Sequence, residues 1–221
     1  MASAPAARFI VLEGIDGSGK SSQIAPLADW LRAEGKRVVT CRDPGATAAG
    51  DAIRSILLHR EEITLSATAE MLLYMAARAQ LVAEVIRPAL SRGDWVVSDR
   101  FLPANIVYQG YAAGLDPDPI RRVGEVATGG LEPDLVLLLD IDPAAALSRI
   151  ARPLDKLENR GTDHRSRLRD GYRQEAARRP DRWVVIDAAQ PLSNVTGQIV
   201  HAVAGQFHVS IDAREQSGSR L

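Results

Sequence analysis

Apolar stretches and amphipathic stretches alternate along the chain, a pattern typical of a parallel sheet covered by helices on both faces. The apolar runs predict five strands, at positions 9–13, 38–42, 95–99, 135–141 and 183–187. The fourth run reads Leu-Val-Leu-Leu-Leu without alternation, as expected of a strand buried on both faces. The periodic stretches predict helices near positions 21–34, 48–58, 66–90, 103–113, 117–127, 143–150, 163–178 and 191–207.

This order of elements predicts one α/β domain over residues 1–208, with a polar C-terminal tail over 209–221. Residues 151–169 stand apart because they are rich in arginine and aspartate and poor in large apolar side chains. Two interpretations fit this segment. It is either a solvated loop or a short lid, at about 151–163, that brings arginines over a phosphate site.

Composition narrows the class of protein. Hydrophobic residues make up 46% and charged residues 25% of the 221 positions, as in globular proteins. A formal net charge of −1 lacks the basic footprint of a nucleic-acid binder. No apolar run approaches the roughly 18 residues of a membrane-spanning helix, so no membrane partner is expected. Cys41 is the only cysteine, which fits a reducing, cytoplasmic setting.

The chemistry-bearing motif follows the first predicted strand directly. Residues 14–21 read Gly-Ile-Asp-Gly-Ser-Gly-Lys-Ser, a full match to the P-loop pattern. Its backbone N–H groups would cradle phosphates, Lys20 would reach the β- and γ-phosphates, and Ser21 would bind Mg²⁺. The predicted ATP-binding residues are Gly14, Asp16, Gly17, Ser18, Gly19, Lys20, Ser21 and Ser22.

A P-loop specifies a bound triphosphate and leaves the reaction open. The Asn-Lys-x-Asp tetrapeptide that reads guanine in GTPases does not occur in this sequence. The chain is also short for a motor or helicase ATPase. A small domain with an arginine-rich lid favours phosphoryl transfer to a small acceptor.

Further segments resemble bacterial thymidylate kinases, in the order in which that family carries them. The resemblance begins with the first strand and the P-loop at 9–17, and continues with Arg-Asp-Pro-Gly-Ala-Thr at 42–47. It includes Leu72 to Gln80 on a predicted helix, Asp-Arg-Phe at 99–101 and Tyr-Gln-Gly at 108–110. The segments at 133–140 and 186–188 match as well. It implies a three-layer P-loop kinase fold with a five-stranded parallel sheet and a short lid. The implied reaction is ATP + dTMP to ADP + dTDP with Mg²⁺.

The resemblance also implies roles for individual residues. Tyr74 and Arg78 are four positions apart on a helix and share a face, which suits a flat base with a polar edge. By resemblance, Tyr74 stacks on thymine, and Asn105 and Tyr108 read the base and the sugar. The implied substrate-binding residues are Asp16, Asp43, Pro44, Tyr74, Arg78, Arg100, Asn105 and Tyr108.

The implied catalytic residues lie in three places. Lys20 belongs to the P-loop, and Asp99 and Arg100 end a strand, where α/β sheets bind ligands. The resemblance gives Arg100 the dTMP phosphate and places Asp99 next to Mg²⁺, with Ser21 as the other metal-binding residue. Because the P-loop has no arginine, a lid arginine is expected to neutralise transition-state charge, with Arg152 favoured over Arg149.

Several positions depart from the family pattern and keep two alternatives open. Asp43 replaces the usual glutamate, Ala46 a glycine, Ala77 a frequent aspartate, and His164-Arg165 an aromatic pair, while 102–104 lacks the usual serine. The alternatives are a kinase of another nucleotide or deoxynucleoside, and a nucleotide-binding module with weak or no catalysis. The resemblance further implies a homodimer with the predicted helices 48–58 and 66–90 at its interface.

Overall fold

A computed structural model describes residues 6–60, 62–151 and 161–210 of the chain. Its strands are β1 (Phe9–Glu13), β2 (Val38–Arg42), β3 (Trp95–Asp99), β4 (Leu135–Asp140) and β5 (Trp183–Asp187). They form one parallel sheet in the order β2-β3-β1-β4-β5. The predicted α/β class is confirmed, and the fourth strand ends one residue earlier than predicted.

Helices connect the successive strands, and the last described helix follows β5. They are α1 (Lys20–Ala33), α2 (Ala48–His59), α3 (Ala67–Leu81), α4 (Arg87–Ser91), α5 (Leu102–Asn105), α6 (Pro117–Thr128), α7 (Pro143–Ser148), α8 (Thr162–Arg178) and α9 (Leu192–Phe207). Two π-helical segments, Val82–Ile86 and Ile106–Ala112, lie between α3 and α4 and after α5.

Strand β1 shows why both faces of the sheet are covered. Its successive side chains point to opposite faces. Ile10 and Leu12 pack in one apolar cluster, and Phe9 and Val11 pack in another. The first cluster includes residues of α1, α8 and α9, and the second includes residues of α3 and α4. All four β1 side chains are at most 1% exposed, so the strand leading to the P-loop is held on both sides.

Two predicted helices are less regular than their sequence pattern indicated. The stretch 66–90 is divided by the π-helical segment Val82–Ile86, and the stretch 103–113 becomes π-helical from Ile106. Pro88 gives a physical reason for the first change, since it has no N–H to donate to the carbonyl four residues earlier. Both segments keep the chain helical, so the layer arrangement is unchanged.

Some of the predicted features lie outside the described residues. These are positions 152–160 of the expected lid, including Arg152, and positions 211–221 of the expected tail. Within the described ranges, no helix combines the length and the apolar character needed to span a membrane.

Candidate active site

The P-loop joins β1 to α1 and depends on glycine at two close approaches. Gly14 and Gly17 have φ values of 143° and 86°, which lie where side chains are disfavoured. A Cβ on Gly14 would lie 2.6 Å from the Leu139 carbonyl oxygen. A Cβ on Gly17 would lie 2.1 Å from the Ala146 carbonyl oxygen. The loop therefore curls tightly against the end of β4 and against α7, which follows it.

Lys20 and Ser21 open helix α1 and supply its side-chain chemistry. Lys20 is 5% exposed and donates from Nζ to the Ile15 carbonyl oxygen across 2.9 Å. Burial, with the neighbouring cation of Arg100, lowers the pKa of Lys20 to about 8. Ser21 Oγ donates to Asp99 Oδ2 across 2.5 Å. This hydroxyl and carboxylate are hard oxygen donors, so the pair fits a Mg²⁺ ion.

A cleft of about 840 Å³ opens above the carboxyl ends of the strands, where α/β sheets bind ligands. The P-loop lines one part of it and the residues after β2 and β3 line another. The predicted site residues that line this cleft are Asp16, Gly17, Ser18, Gly19, Lys20, Ser21, Ser22, Asp43, Tyr74, Arg78, Asp99, Arg100, Asn105, Tyr108 and Arg149. Among the predicted residues that the structure describes, Gly14 and Pro44 are absent from this lining.

Arg100 lies at the centre of a polar cluster beside the P-loop. Its backbone is left-handed, with φ at 72°, a conformation that non-glycine residues rarely adopt. Nη1 donates to the Gly14 carbonyl oxygen across 3.1 Å, and Nη2 donates to Asp16 Oδ1. Tyr108 accepts from Nη2 across 3.0 Å and donates to Asp16 Oδ2 across 2.6 Å. The structure thus brings together the three residues predicted to hold the acceptor phosphate and sugar.

The charges in this cluster compensate each other. Burial opposes ionisation of Asp16, but the cations of Arg100 and Lys20 outweigh burial and hold its pKa below the usual value. Burial raises the pKa of Tyr108 well above its usual value, and the adjacent Asp16 carboxylate adds to this effect. Tyr108 therefore stays neutral and serves as a hydroxyl donor.

A second buried network of hydrogen bonds is centred on Arg78, which also lines the cleft. Arg78, on α3, donates to Asp43 Oδ2 across 2.6 Å and to Asn105 Oδ1 across 2.9 Å. Asn105 in turn donates to Gln109 Oε1 across 2.6 Å, and Gln109 donates to Glu70 Oε1 across 2.8 Å. Arginine can only donate, so the carbonyl oxygen of Asn105 must face Arg78. The orientation of the amide is therefore fixed by its partners.

Of the two arginines predicted to act from the lid, Arg149 belongs to the described residues. Arg149 follows α7 and donates from Nη1 to the Ala188 carbonyl oxygen across 2.8 Å. This bond ties Arg149 to the segment after β5, and both residues line the cleft. Arg152, the favoured transition-state arginine, lies outside the described residues.

Sequence reasoning missed Glu13 and Tyr172. Glu13 ends β1 with no exposed surface, and Tyr172 donates to its Oε2 across 2.9 Å. Tyr172 also accepts from Arg100 Nη1 across 2.8 Å. The available signal was a carboxylate inside an apolar strand, since a buried charge requires partners. Arg54, on α2, is a further cleft residue that the sequence did not single out.

Comparisons with known proteins agree on one family. The family described as thymidylate kinase matches residues 12–199 of this chain. A thymidylate kinase from Synechococcus sp. (strain RCC307) is 45% identical over 203 residues, covering 89% of this chain and 95% of the relative. One from Bifidobacterium longum (strain DJO10A) is 43% identical over 194 residues, covering 86% and 94%. The crystal structure of thymidylate kinase from Ehrlichia chaffeensis superposes with a TM-score of 0.74 at 29% identity, covering 90% of this chain and 99% of that one.

Proposed function

The chain belongs to the thymidylate kinase family, and on that premise we propose that it transfers the γ-phosphoryl group of ATP to dTMP. The products are ADP and dTDP. The observation that carries this proposal is the shared cleft, in which the P-loop cation Lys20 and the acceptor-side cation Arg100 line the same cavity. Two phosphate sites that open into one space are what direct transfer between two nucleotides requires.

The donor nucleotide is held by the P-loop. Backbone N–H groups at the start of α1 bind the phosphates of ATP, and Lys20 adds a positive charge at the β- and γ-phosphates. Ser21 and Asp99, whose oxygens already meet, are the residues that hold Mg²⁺. When bound, this ion neutralises charge that develops on the transferred group.

The acceptor is held by the two networks on the opposite side of the cleft. Arg100 binds the phosphate of dTMP, Asp16 and Tyr108 meet the sugar, and Tyr74 stacks on the base. Arg78 lines the cleft and can only donate, which favours the carbonyl oxygens of thymine at the base edge. The amino group of cytosine would instead face a second donor and leave both unpaired.

The transfer step needs positioning and charge compensation more than acid–base chemistry. An oxygen of the dTMP phosphate attacks the γ-phosphorus, and the bond to the bridging oxygen of ADP breaks. The acceptor oxygen is already anionic, so no general base is required. Arg149 and Arg152 are the candidates for neutralising charge from the lid segment.

An ADP-release assay with ATP and Mg²⁺ tests this function directly. Initial rates are compared with dTMP, dUMP, dCMP, dGMP, thymidine or no acceptor. We expect the strongest stimulation with dTMP and none with thymidine, because Arg100 needs an acceptor phosphate. Stronger stimulation by another monophosphate would overturn the choice of base, and no stimulation by any acceptor would overturn the kinase assignment.

Quaternary structure and compartment are further parts of this proposal. Family resemblance favours a homodimer through α2 and α3, and Leu72 on α3 is an apolar side chain that is 49% exposed. Sedimentation analysis of the purified chain would give the mass of the assembly. A monomer at micromolar concentration would refute the dimer. The cytoplasm is the expected location.

A further inference from the structure

The carboxylate of Glu13 lies beneath Arg100 and contacts the chain on two sides. Its Oε1 accepts from the backbone N–H of Phe101 across 2.9 Å and of Ala104 across 3.3 Å. Its Oε2 accepts from the Tyr172 hydroxyl across 2.9 Å and lies 3.9 Å from Arg100 Nη1. One buried side chain therefore contacts the segment after Arg100, and also the tyrosine that contacts the Arg100 guanidinium.

The first set of contacts holds the backbone around Arg100. The left-handed conformation of Arg100 is costly for a residue with a side chain. The Arg100 N–H donates to the Leu12 carbonyl oxygen across 3.0 Å, and Ser98 Oγ donates to the Arg100 carbonyl oxygen across 2.7 Å. The Glu13 bonds to Phe101 and Ala104 fix the next turn. The kink at Arg100 is thus held from both ends.

The second set of contacts orients the guanidinium. A tyrosine hydroxyl has a single hydrogen, and the carboxylate form of Glu13, which predominates above about pH 7, can only accept. Glu13 therefore draws the Tyr172 hydrogen toward itself and leaves a hydroxyl lone pair facing Arg100 Nη1, which lies 2.8 Å away. Without that acceptor the hydroxyl is free to turn, and Arg100 loses a fixed partner.

We propose that Glu13 is a positioning residue, which acts through Tyr172 to fix the Arg100 guanidinium for an acceptor phosphate. This inference rests on the proposed function, because it assigns the acceptor phosphate to Arg100. Tyr172 belongs to α8, the helix that follows the lid segment. The same contact therefore joins that helix to the acceptor site.

The test uses Glu13→Gln, Tyr172→Phe and the double variant, with dTMP affinity measured by calorimetry and KM measured for both substrates. Glu13→Gln keeps the side-chain shape and presents an amide donor to Tyr172. We expect dTMP affinity to fall about tenfold, on the scale of a charged hydrogen bond, with KM for ATP changed less than about twofold. Tyr172→Phe should also lower dTMP affinity while leaving KM for ATP nearly unchanged. The double variant should be no weaker than Glu13→Gln alone.

A matched control removes the same kind of bond elsewhere on α8. Tyr111 donates to Glu175 Oε1 across 2.9 Å, joining the π-helical segment Ile106–Ala112 to α8 away from Arg100. Tyr111→Phe should leave dTMP affinity unchanged. If Tyr111→Phe and Tyr172→Phe lowered dTMP affinity equally, the contact between Glu13 and Tyr172 would be merely structural, and the proposal would be overturned. This comparison of phenylalanine variants also stands if Glu13→Gln does not fold.

The remaining outcomes separate this inference from the proposed function. The role of Glu13 would be overturned if the fold-losses of dTMP affinity in the two single variants multiplied in the double variant. It would also be overturned if the variants weakened the binding of dTMP and ATP equally. Unchanged dTMP affinity in the variants of an active enzyme would do the same. A wild-type chain that binds dTMP without turnover would overturn only the kinase function, because affinities alone still decide the role of Glu13. A wild-type chain that binds no dTMP would overturn both.

Discussion

The guanidinium of Arg78 and the carboxylate of Asp43 meet across 2.6 Å, with side-chain exposures of 1% and 0%. The pair joins the end of β2 to helix α3 at the acceptor side of the cleft. Burial raises the pKa of Asp43, and the Arg78 cation opposes this increase. The Asp43 carboxylate thus depends on the Arg78 cation to carry its charge away from water.

Removing one member should therefore destabilise the fold. Arg78→Met leaves the Asp43 carboxylate without its cation, and we expect the free energy of unfolding to fall by about 3–5 kcal/mol. Urea unfolding followed by circular dichroism measures this change. Adding Asp43→Asn should restore part of the loss, because the stranded charge is gone. Arg32→Met, at the exposed pair with Asp29, should cost less than about 1 kcal/mol. Equal losses at the two pairs would contradict this reasoning.

Lys20→Ala should reduce kcat about 10²- to 10³-fold, because the variant loses a charged donor aimed at the transferred phosphate. The ADP-release assay with saturating ATP and dTMP measures this loss. The matched control is Lys36→Ala, whose ammonium lies over the Trp95 ring. We expect that variant to keep its rate within about twofold. A comparable loss in both variants would assign the effect to stability.

Gly17→Ala should abolish ATP binding. The added methyl group would lie 2.1 Å from the Ala146 carbonyl oxygen, at a φ of 86°. The loop would have to move away from the chain after β4 and could no longer present its N–H groups. Equilibrium dialysis with labelled ATP measures the binding. Gly197→Ala, in α9 with open space around the new methyl group, should instead stabilise the fold by about 0.5–1 kcal/mol. Normal ATP affinity in Gly17→Ala would refute the close packing.

Stability should vary with pH through Glu13. Burial raises the pKa of this carboxyl from 4.5 to about 7, although the Arg100 cation opposes the increase. The folded state therefore binds the proton more tightly than the unfolded state does. Between about pH 4.5 and 7 this group lowers the free energy of unfolding as pH rises, by up to about 1.4 kcal/mol per pH unit.

Glu13→Gln removes that titration. The free energy of unfolding of the variant should therefore fall less steeply with pH than that of the wild-type chain over the same range. Urea unfolding at pH 5, 6 and 7 measures both slopes. Asp43, whose pKa is also raised, contributes equally to both proteins and cancels in the difference. Identical slopes would mean that Glu13 does not titrate in this window.

The sequence predicted the sheet closely, because its apolar runs are short and end at polar residues. The bounds of β1, β2, β3 and β5 agree with the predicted ones, while β4 ends at Asp140. There the carboxylate accepts from Arg169 and Arg173, contacts that an apolar pattern cannot reveal. The π-helical segments were missed because their apolar spacing is close to that of an α-helix.

The candidate site was predictable where its residues are contiguous and less so where they are distant. Lys20 and Ser21 belong to one eight-residue motif, and their roles follow from its spacing. Glu13 and Tyr172 are 159 positions apart, so only the fold brings them together. The Asp43–Arg78 ion pair was missed for the same reason, although both residues were expected in the acceptor site.

The strand order also bears on how the protein is made. The central strand β1 is synthesised early, yet it pairs only with β3 and β4, where Phe9 lies opposite Val96 and Ile10 opposite Leu135. The P-loop beside β1 therefore has no framework until most of the chain has left the ribosome. Contacts between such distant segments close slowly. ATP binding should be absent from stalled chains that lack β4, so synthesis must pass Asp140 of the 221 residues before the nascent chain gains its first ligand.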